Sequence, residues 1–209
     1  MTSERESERE RLMQVAIKLF AAFGYDGTSL RQIADTAGIG IVTVEQHVGC
    51  KRDLYLAVMR RLFEQEQAAR VEAMKGFSTR TPEETAASIH RIVDDYVEYT
   101  VSHPERTLLW VHRSLLDAAD VVELEQQFIQ PILAAVLEGV APAIEAGYMD
   151  PEVDLELAMW TIIWMVQGIT TAGTVMGHIP GPPDAFLVER FERHLHMVVD
   201  RLFRLPGTS

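Results

Sequence analysis

Residues 27–53 read GTSLRQIADTAGIGIVTVEQHVGCKRD, and the order of residue types in this stretch decides the fold. Thr28 and Ser29 supply hydroxyls that can cap a short helix whose inward positions are Leu30, Ile33, Ala34 and Ala37. Small side chains at Ala34 and Ala37 let a second helix approach closely. Gly38 suits the positive φ that ends a helix, and Ile39 plugs the angle that follows. The second helix then runs from about Ile41 to His47, with Val44 and Val48 turned inward. Ile41, Val42, Thr43, Glu45, Gln46 and His47 are left partly or wholly outward. Two short helices meeting at a glycine-containing turn are the pattern of a helix-turn-helix, in which the second helix reads DNA.

Upstream, Glu10 to Gly24 predicts an amphipathic helix carrying Leu12, Val15, Ala16, Leu19 and Phe20 on one side. The charged run before it, Glu4 to Arg11, reads as a solvated, frayed tail. Four segments, Ala16–Phe20, Phe23–Ser29, Ile33–Ile39 and Lys51–Tyr55, fall in order without gaps. Together they resemble the N-terminal domain of the tetracycline-repressor (TetR) family over about residues 10–60. The resemblance implies an all-α protein: a three-helix DNA-binding domain at 1–50, followed by a helical effector-binding and dimerisation domain at 51–209.

Carried over position by position, the resemblance gives Thr43 and Gln46 to bases or nearby phosphates. It gives His47, Lys51 and Thr28 to phosphates, with Arg31 and Arg52 as further phosphate partners. The chain departs from the family at Gly40, Ile41 and Glu45, where Ser, Lys or Gln and then an aromatic residue are usual. No Lys or Arg occurs between Gly38 and Cys50. Phosphate contacts supply most non-specific affinity, so an acid on the reading face weakens binding. Glu45 has two readings that stay open here: acceptance of a hydrogen bond from cytosine N4, or pairing with a cation such as Lys51. Loss of DNA binding is a third.

Charge divides the labour. The chain has a net charge of −12, yet residues 1–60 carry eight basic and eight acidic side chains, so the whole acidic excess belongs to 61–209. That part would be repelled by a polyanion, which leaves the N-terminal domain to face DNA. No charged-then-apolar leader is seen, so a cytoplasmic protein is expected. One cysteine, Cys50, excludes an intrachain disulfide; at a helix N-terminus beside cations it reads as a weak cap or as a redox-sensitive thiol, and both readings stay open here.

Beyond Lys51 every segment reads as helix. One long helix reaches about Lys75; Thr81-Pro82-Glu83-Glu84 caps the next, to about Val101; Pro104 restarts another through Ala119. Val121–Ala146 follows, with Pro131 and Pro142 expected to kink or divide it, then helices at about 152–177 and 183–204. Residues 157–177 carry no charge, but threonines, Gln167 and glycines favour a buried helix over a membrane span.

The family resemblance implies two further features. A ligand cavity is expected among the middle helices, for which Tyr96, Trp110, Arg113, Trp160, Trp164, Gln167 and Thr171 are candidates, Tyr99 lying beside Tyr96. Arg113 is the candidate for a ligand carboxylate, and the aromatic walls suit a small, largely apolar effector. A homodimer is expected through the last two helices, with Gly173 and Gly177 allowing close approach and Leu187, Phe191, Leu195, Val198 and Leu202 forming an apolar stripe. The same stripe could instead fill the monomer core. No phosphate loop, nucleophile elbow or zinc-protease motif is present, and His194 and His196 point to different helix faces. No enzyme activity, cofactor, metal or membrane is therefore expected. The sequence reads as a ligand-responsive repressor on a palindromic DNA operator. The alternative is a small-molecule- or partner-binding dimer with a weakened DNA reader.

Overall fold

The computed structural model describes residues 2–121, 124, 127, 130–171 and 183–206. Among them the helices are α1 (Thr2–Phe23), α2 (Leu30–Ala37), α3 (Ile41–Val48), α4 (Lys51–Ala73), α5 (Pro82–Ser102), α6 (Pro104–Ser114), α7 (Gln130–Glu145), α8 (Leu155–Thr171) and α9 (Ala185–Phe203). They fall into two units, Met1–Glu66 with Glu105–Gln127, and Gln67–Pro104 with Phe128–Ser209.

The first unit is built around α1. Leu12, Ala16 and Phe20, four residues apart, are fully buried, as are Ile33 of α2, Val44 of α3, and Leu54, Tyr55 and Val58 of α4. The Phe20 and Tyr55 rings meet edge to face at 5.2 Å, and Tyr25 lies 4.9 Å from Tyr55. Such aromatic pairs add about 0.5–1.5 kcal/mol each beyond the area they bury. The charged N-terminus is not a frayed tail, because α1 begins at Thr2. Its acids find partners: Glu10 accepts from Arg61 of α4 at 2.6 and 2.7 Å, and Glu8 lies 3.5 Å from His47 of α3.

α6 also belongs to this unit, and it stops at Ser114 rather than Ala119. Leu116 and Ala118 adopt left-handed φ of 67° and 54°, which no helix can continue. The Arg113 guanidinium holds that turn by donating to the carbonyls of Asp117, Ala118 and Val121. Farther up α6, Arg106 forms a buried ion pair with Glu66 of α4.

In the second unit α5 starts as its residues require. Thr81 accepts from the Glu84 N–H at 3.1 Å and Pro82 occupies the first turn. Ile89, Val93 and Val97 of α5 pack in one cluster with Val140 and Ala143 of α7, Ala158 and Val166 of α8, and Leu195, Val199 and Phe203 of α9. Four of the five α9 stripe residues are covered within the monomer: Leu187 and Leu195 are buried, and Phe191 and Leu202 pack against the cluster, while Val198 is half-buried. At the edge of this core His90 Nε2 meets Asp200 at 2.6 Å and His196 Nε2 meets Asp94 at 2.6 Å, with the two imidazoles stacked at 4.3 Å. α7 starts at Gln130, so Pro131 sits in its first turn, and Pro142 lies inside it on the exposed side. Gly173 and Gly177 lie outside the described residues. No described helix is long and apolar enough to cross a membrane.

Candidate nucleic-acid interface

Local chemistry sets the α2–α3 angle. Ser29 accepts from the Gln32 N–H at 3.1 Å and so caps α2, a bond of the kind whose loss costs about 1 kcal/mol. Gly38 closes the helix at φ 65°, where Ile39 N–H can return to the Ala34 carbonyl at 3.1 Å. Ile33, Ala34, Ala37, Ile39 and Val44 are all buried, and they fix α3 against α2. Val48, expected inward, is only half-buried.

That anchoring turns the other side of α3 outward. Val42 is 63% exposed, and Glu45 and Gln46 are exposed beside it, with Thr43 and His47 half-buried. Glu45 makes no ion pair among the described residues, so the reading in which a cation such as Lys51 holds it finds no partner in this structure. Lys51 is occupied elsewhere: its ammonium donates to the Tyr25 carbonyl at 2.9 Å and stands 4.1 Å over the Tyr25 ring. Arg31 is exposed on α2. Thr28 is turned inward, 1% exposed, with its hydroxyl donating to the Gly24 carbonyl at 2.7 Å. Its side chain fastens the α1–α2 turn and does not face solvent.

Cys50 is exposed and directly precedes α4, where its side chain accepts from no helix N–H among the described residues. Its N–H and its thiol both donate to Asp53 Oδ2, each at 3.0 Å, and these bonds hold the Asp53 carboxyl below its usual range. The Tyr25 hydroxyl is pushed up, first by burial and then by nearby acids.

The candidate ligand residues divide between the two units. Trp110 and Arg113 fall in the first, and the Arg113 guanidinium serves the 117–121 turn. Tyr96, Trp160, Trp164, Gln167 and Thr171 fall in the second. There Tyr96 packs against the core, Trp160 is half-buried and stacks on Trp164 at 5.9 Å, and Trp164 itself is 61% exposed. Gln167 is half-buried and Thr171 exposed. A groove of about 490 Å³ in this unit is lined by other side chains, among them Lys75, Arg91, Asp95, Glu98, Tyr99 and His103. Of these only Tyr99 carried a sequence signal; the rest are charged residues of a kind that reads as solvated helix surface.

Residues 12–58 match the family described as bacterial regulatory proteins, tetR family. That match takes in less than a quarter of the chain and falls on α1, α2, α3 and the start of α4. Over 75 residues it is 31% identical to the HTH-type transcriptional regulator YezE of Bacillus subtilis, a stretch covering 36% of this chain and 39% of YezE. The match thus spans about two-fifths of that relative's length. Two solved structures share the fold along nearly the whole chain. The ketosteroid transcriptional regulator KstR2 of Mycobacterium tuberculosis has a TM-score of 0.69 at 19% identity, covering 93% of this chain and 94% of that one. The fatty acid degradation regulator FadR of Bacillus halodurans has a TM-score of 0.68 at 15% identity, covering 96% and 95%.

Proposed function

We propose that this chain is a homodimeric, ligand-responsive transcriptional regulator of the cytoplasm. In this reading it is a repressor that a small, largely apolar effector releases from a palindromic DNA operator. The observation that carries it is the rigidly presented outer face of α3, with Val42, Glu45 and Gln46 exposed and Val44 fully buried behind them. A helix so presented inserts in the major groove, and Thr43, Gln46, His47, Lys51 and Arg31 would complete the base and phosphate contacts.

Dimerisation is supported by apolar side chains that the monomer leaves in water. Leu157 and Trp164 lie seven residues apart on one face of α8, 60% and 61% exposed. Phe186 and Met197 share a face of α9, 69% and 39% exposed. Burying such a patch against its own two-fold copy would place two readers on successive half-sites. The apolar effector is supported by half-buried Tyr96, Trp160 and Gln167 in the second unit, and by the ketosteroid and fatty-acid names of the two regulators that share the fold. Effector binding would act through α4, which begins at Lys51 beside the reader and continues to Ala73, by favouring a reader spacing that mismatches the operator.

The experiment is selection of genomic duplex fragments by the purified full-length chain at low and then higher salt, followed by release with a panel of acyl and steroid compounds. Recovery of one palindromic motif, lost with added compound, is the expected result. A folded dimer that enriches nothing would instead favour a binding module with a weakened reader. The absence of Lys and Arg from Gly38 to Cys50 is what sustains that second reading.

A further inference from the structure

We propose that Glu45 sets the sequence specificity of α3 by requiring a cytosine at one step of each half-site, the cytosine N4 amino group donating to the Glu45 carboxylate. The inference rests on the DNA-binding reading above and names what that reader selects.

The Glu45 carbonyl accepts from the Gly49 N–H and closes α3, but the Glu45 side chain makes no hydrogen bond or ion pair among the described residues. Glu45 opens the last turn of the eight-residue α3, where a negative charge faces the carbonyl end of the helix dipole, the unfavourable end. No cation offsets it among the described residues. Lys51 gives its ammonium to Tyr25, and His47 pairs with Glu8. The side chain is exposed, and packing does not account for its presence. What remains is the direction it faces: the same exposed side as Val42, three residues before it, and Gln46, the next residue.

A carboxylate can only accept hydrogen bonds, and the major-groove edges answer it differently. Thymine offers an O4 acceptor, and guanine offers the O6 and N7 acceptors, so both repel it. Adenine has an N6 donor, but its N7 acceptor stands alongside and opposes the second carboxylate oxygen. Cytosine presents the N4 donor with only a C–H beside it, and both oxygens are tolerated. The surrounding phosphates repel the carboxylate at every step, so a step without a donor is rejected outright. Specificity by rejection suits a helix with no Lys or Arg to seek guanine. Val42 supplies an apolar contact of the kind that fits a thymine methyl, and Gln46 can pair bidentately with adenine.

The test compares the full-length chain with Glu45→Ala and Glu45→Gln by duplex selection and by competition at one fixed salt concentration. Melting temperatures confirm that all three fold alike. The wild-type motif is expected to hold a fixed C·G step whose change to T·A weakens binding about tenfold or more. Glu45→Ala is expected to bind both duplexes within about twofold, and Glu45→Gln to move the preference at that step to adenine. The inference is overturned if Glu45→Ala tightens binding to every duplex by the same factor and leaves the motif unchanged, since Glu45 would then be a repulsive charge and nothing more. A folded wild-type chain that enriches no motif would overturn the DNA-binding reading itself, a result distinct from the first because no base preference would exist to alter.

Discussion

Asp117 Oδ2 accepts from the Tyr25 backbone N–H at 2.6 Å, joining residues 92 positions apart. Its other oxygen accepts from the Asp26 N–H at 2.9 Å, so one carboxylate caps the turn that carries the chain from α1 to α2. Gly24 makes room for it: at φ 72° a side chain would be strained, and a Cβ there would come within 2.9 Å of Asp117 Oδ1. Asp117→Ala removes two charge-assisted bonds and is expected to destabilise the protein by about 2–4 kcal/mol. Asp117→Asn, which keeps one acceptor, should lose about half as much. Urea denaturation of both variants checks this, and equal stability of Asp117→Ala and wild type would refute the capping role.

That bond also marks what a sequence can and cannot disclose. The reader was legible because its determinants are local: a cap at Ser29, a left-handed glycine at 38, and buried positions three and four residues apart. The return of α6 to the same unit was not, since nothing in the string 105–127 points to residues 21–26. Arg113 shows the same limit. In sequence an arginine between His112 and Ser114 is as consistent with a ligand carboxylate as with a turn, and only the carbonyls of 117, 118 and 121 decide. On α9 the periodicity located the buried stripe, but periodicity is silent on whether the covering surface is the same chain or another. Leu187 and Leu195 face their own core, and the exposed Phe186 and Met197 lie off that stripe. The charge run before Leu12 looked like solvation because its partners, Arg61 and His47, are distant in sequence.

Lys51 and Gln46 should separate cleanly in binding experiments. Lys51→Ala is expected to weaken association with all duplexes alike and to reduce the salt slope by about one for the phosphate it no longer neutralises. Gln46→Ala should leave the salt slope alone and relax preference at one base position, for a loss of about 1–3 kcal/mol on the best site. Lys51 also clamps the Tyr25 carbonyl and ring, so thermal melting must accompany the titrations. An unchanged salt slope in folded Lys51→Ala would mean that Lys51 grips no phosphate.

Glu10 gives the first unit a defined response to acid. Hydrogen bonds from Arg61, then Gln14, hold its carboxyl down at about 2, against an ordinary value of 4.5. A depressed carboxyl favours the folded state above its unfolded value, and that contribution fades as pH falls from about 4.5 towards 2. Half the Glu10 side chain is exposed, so solvent screening keeps the pair to about 0.2–1 kcal/mol at neutral pH. Glu10→Gln should therefore be slightly less stable than wild type at pH 7, and the two should converge only as pH falls to about 2. Denaturation midpoints measured across that range decide it; a gap that widens on acidification would have the wrong sign.

Trp164 offers the sharpest test of self-association. An indole 61% exposed on α8, with Leu157 one heptad earlier and Thr161 and Gly168 between and beyond, forms a face of two large apolar groups separated by small ones. Large aromatics at the centre of an interface typically carry about 2–4 kcal/mol each. Trp164→Glu adds a charge to that loss, and in a two-fold dimer each substitution acts twice. The variant is expected to sediment as a monomer at micromolar concentration while keeping wild-type helicity. Because a monomer presents one reader instead of two, operator affinity should fall with dimer dissociation, and single half-site binding should be spared. A Trp164→Glu protein that remains a dimer of undiminished affinity would move the interface off this face of α8, and the exposed Phe186 and Met197 of α9 would then be the surface to substitute next.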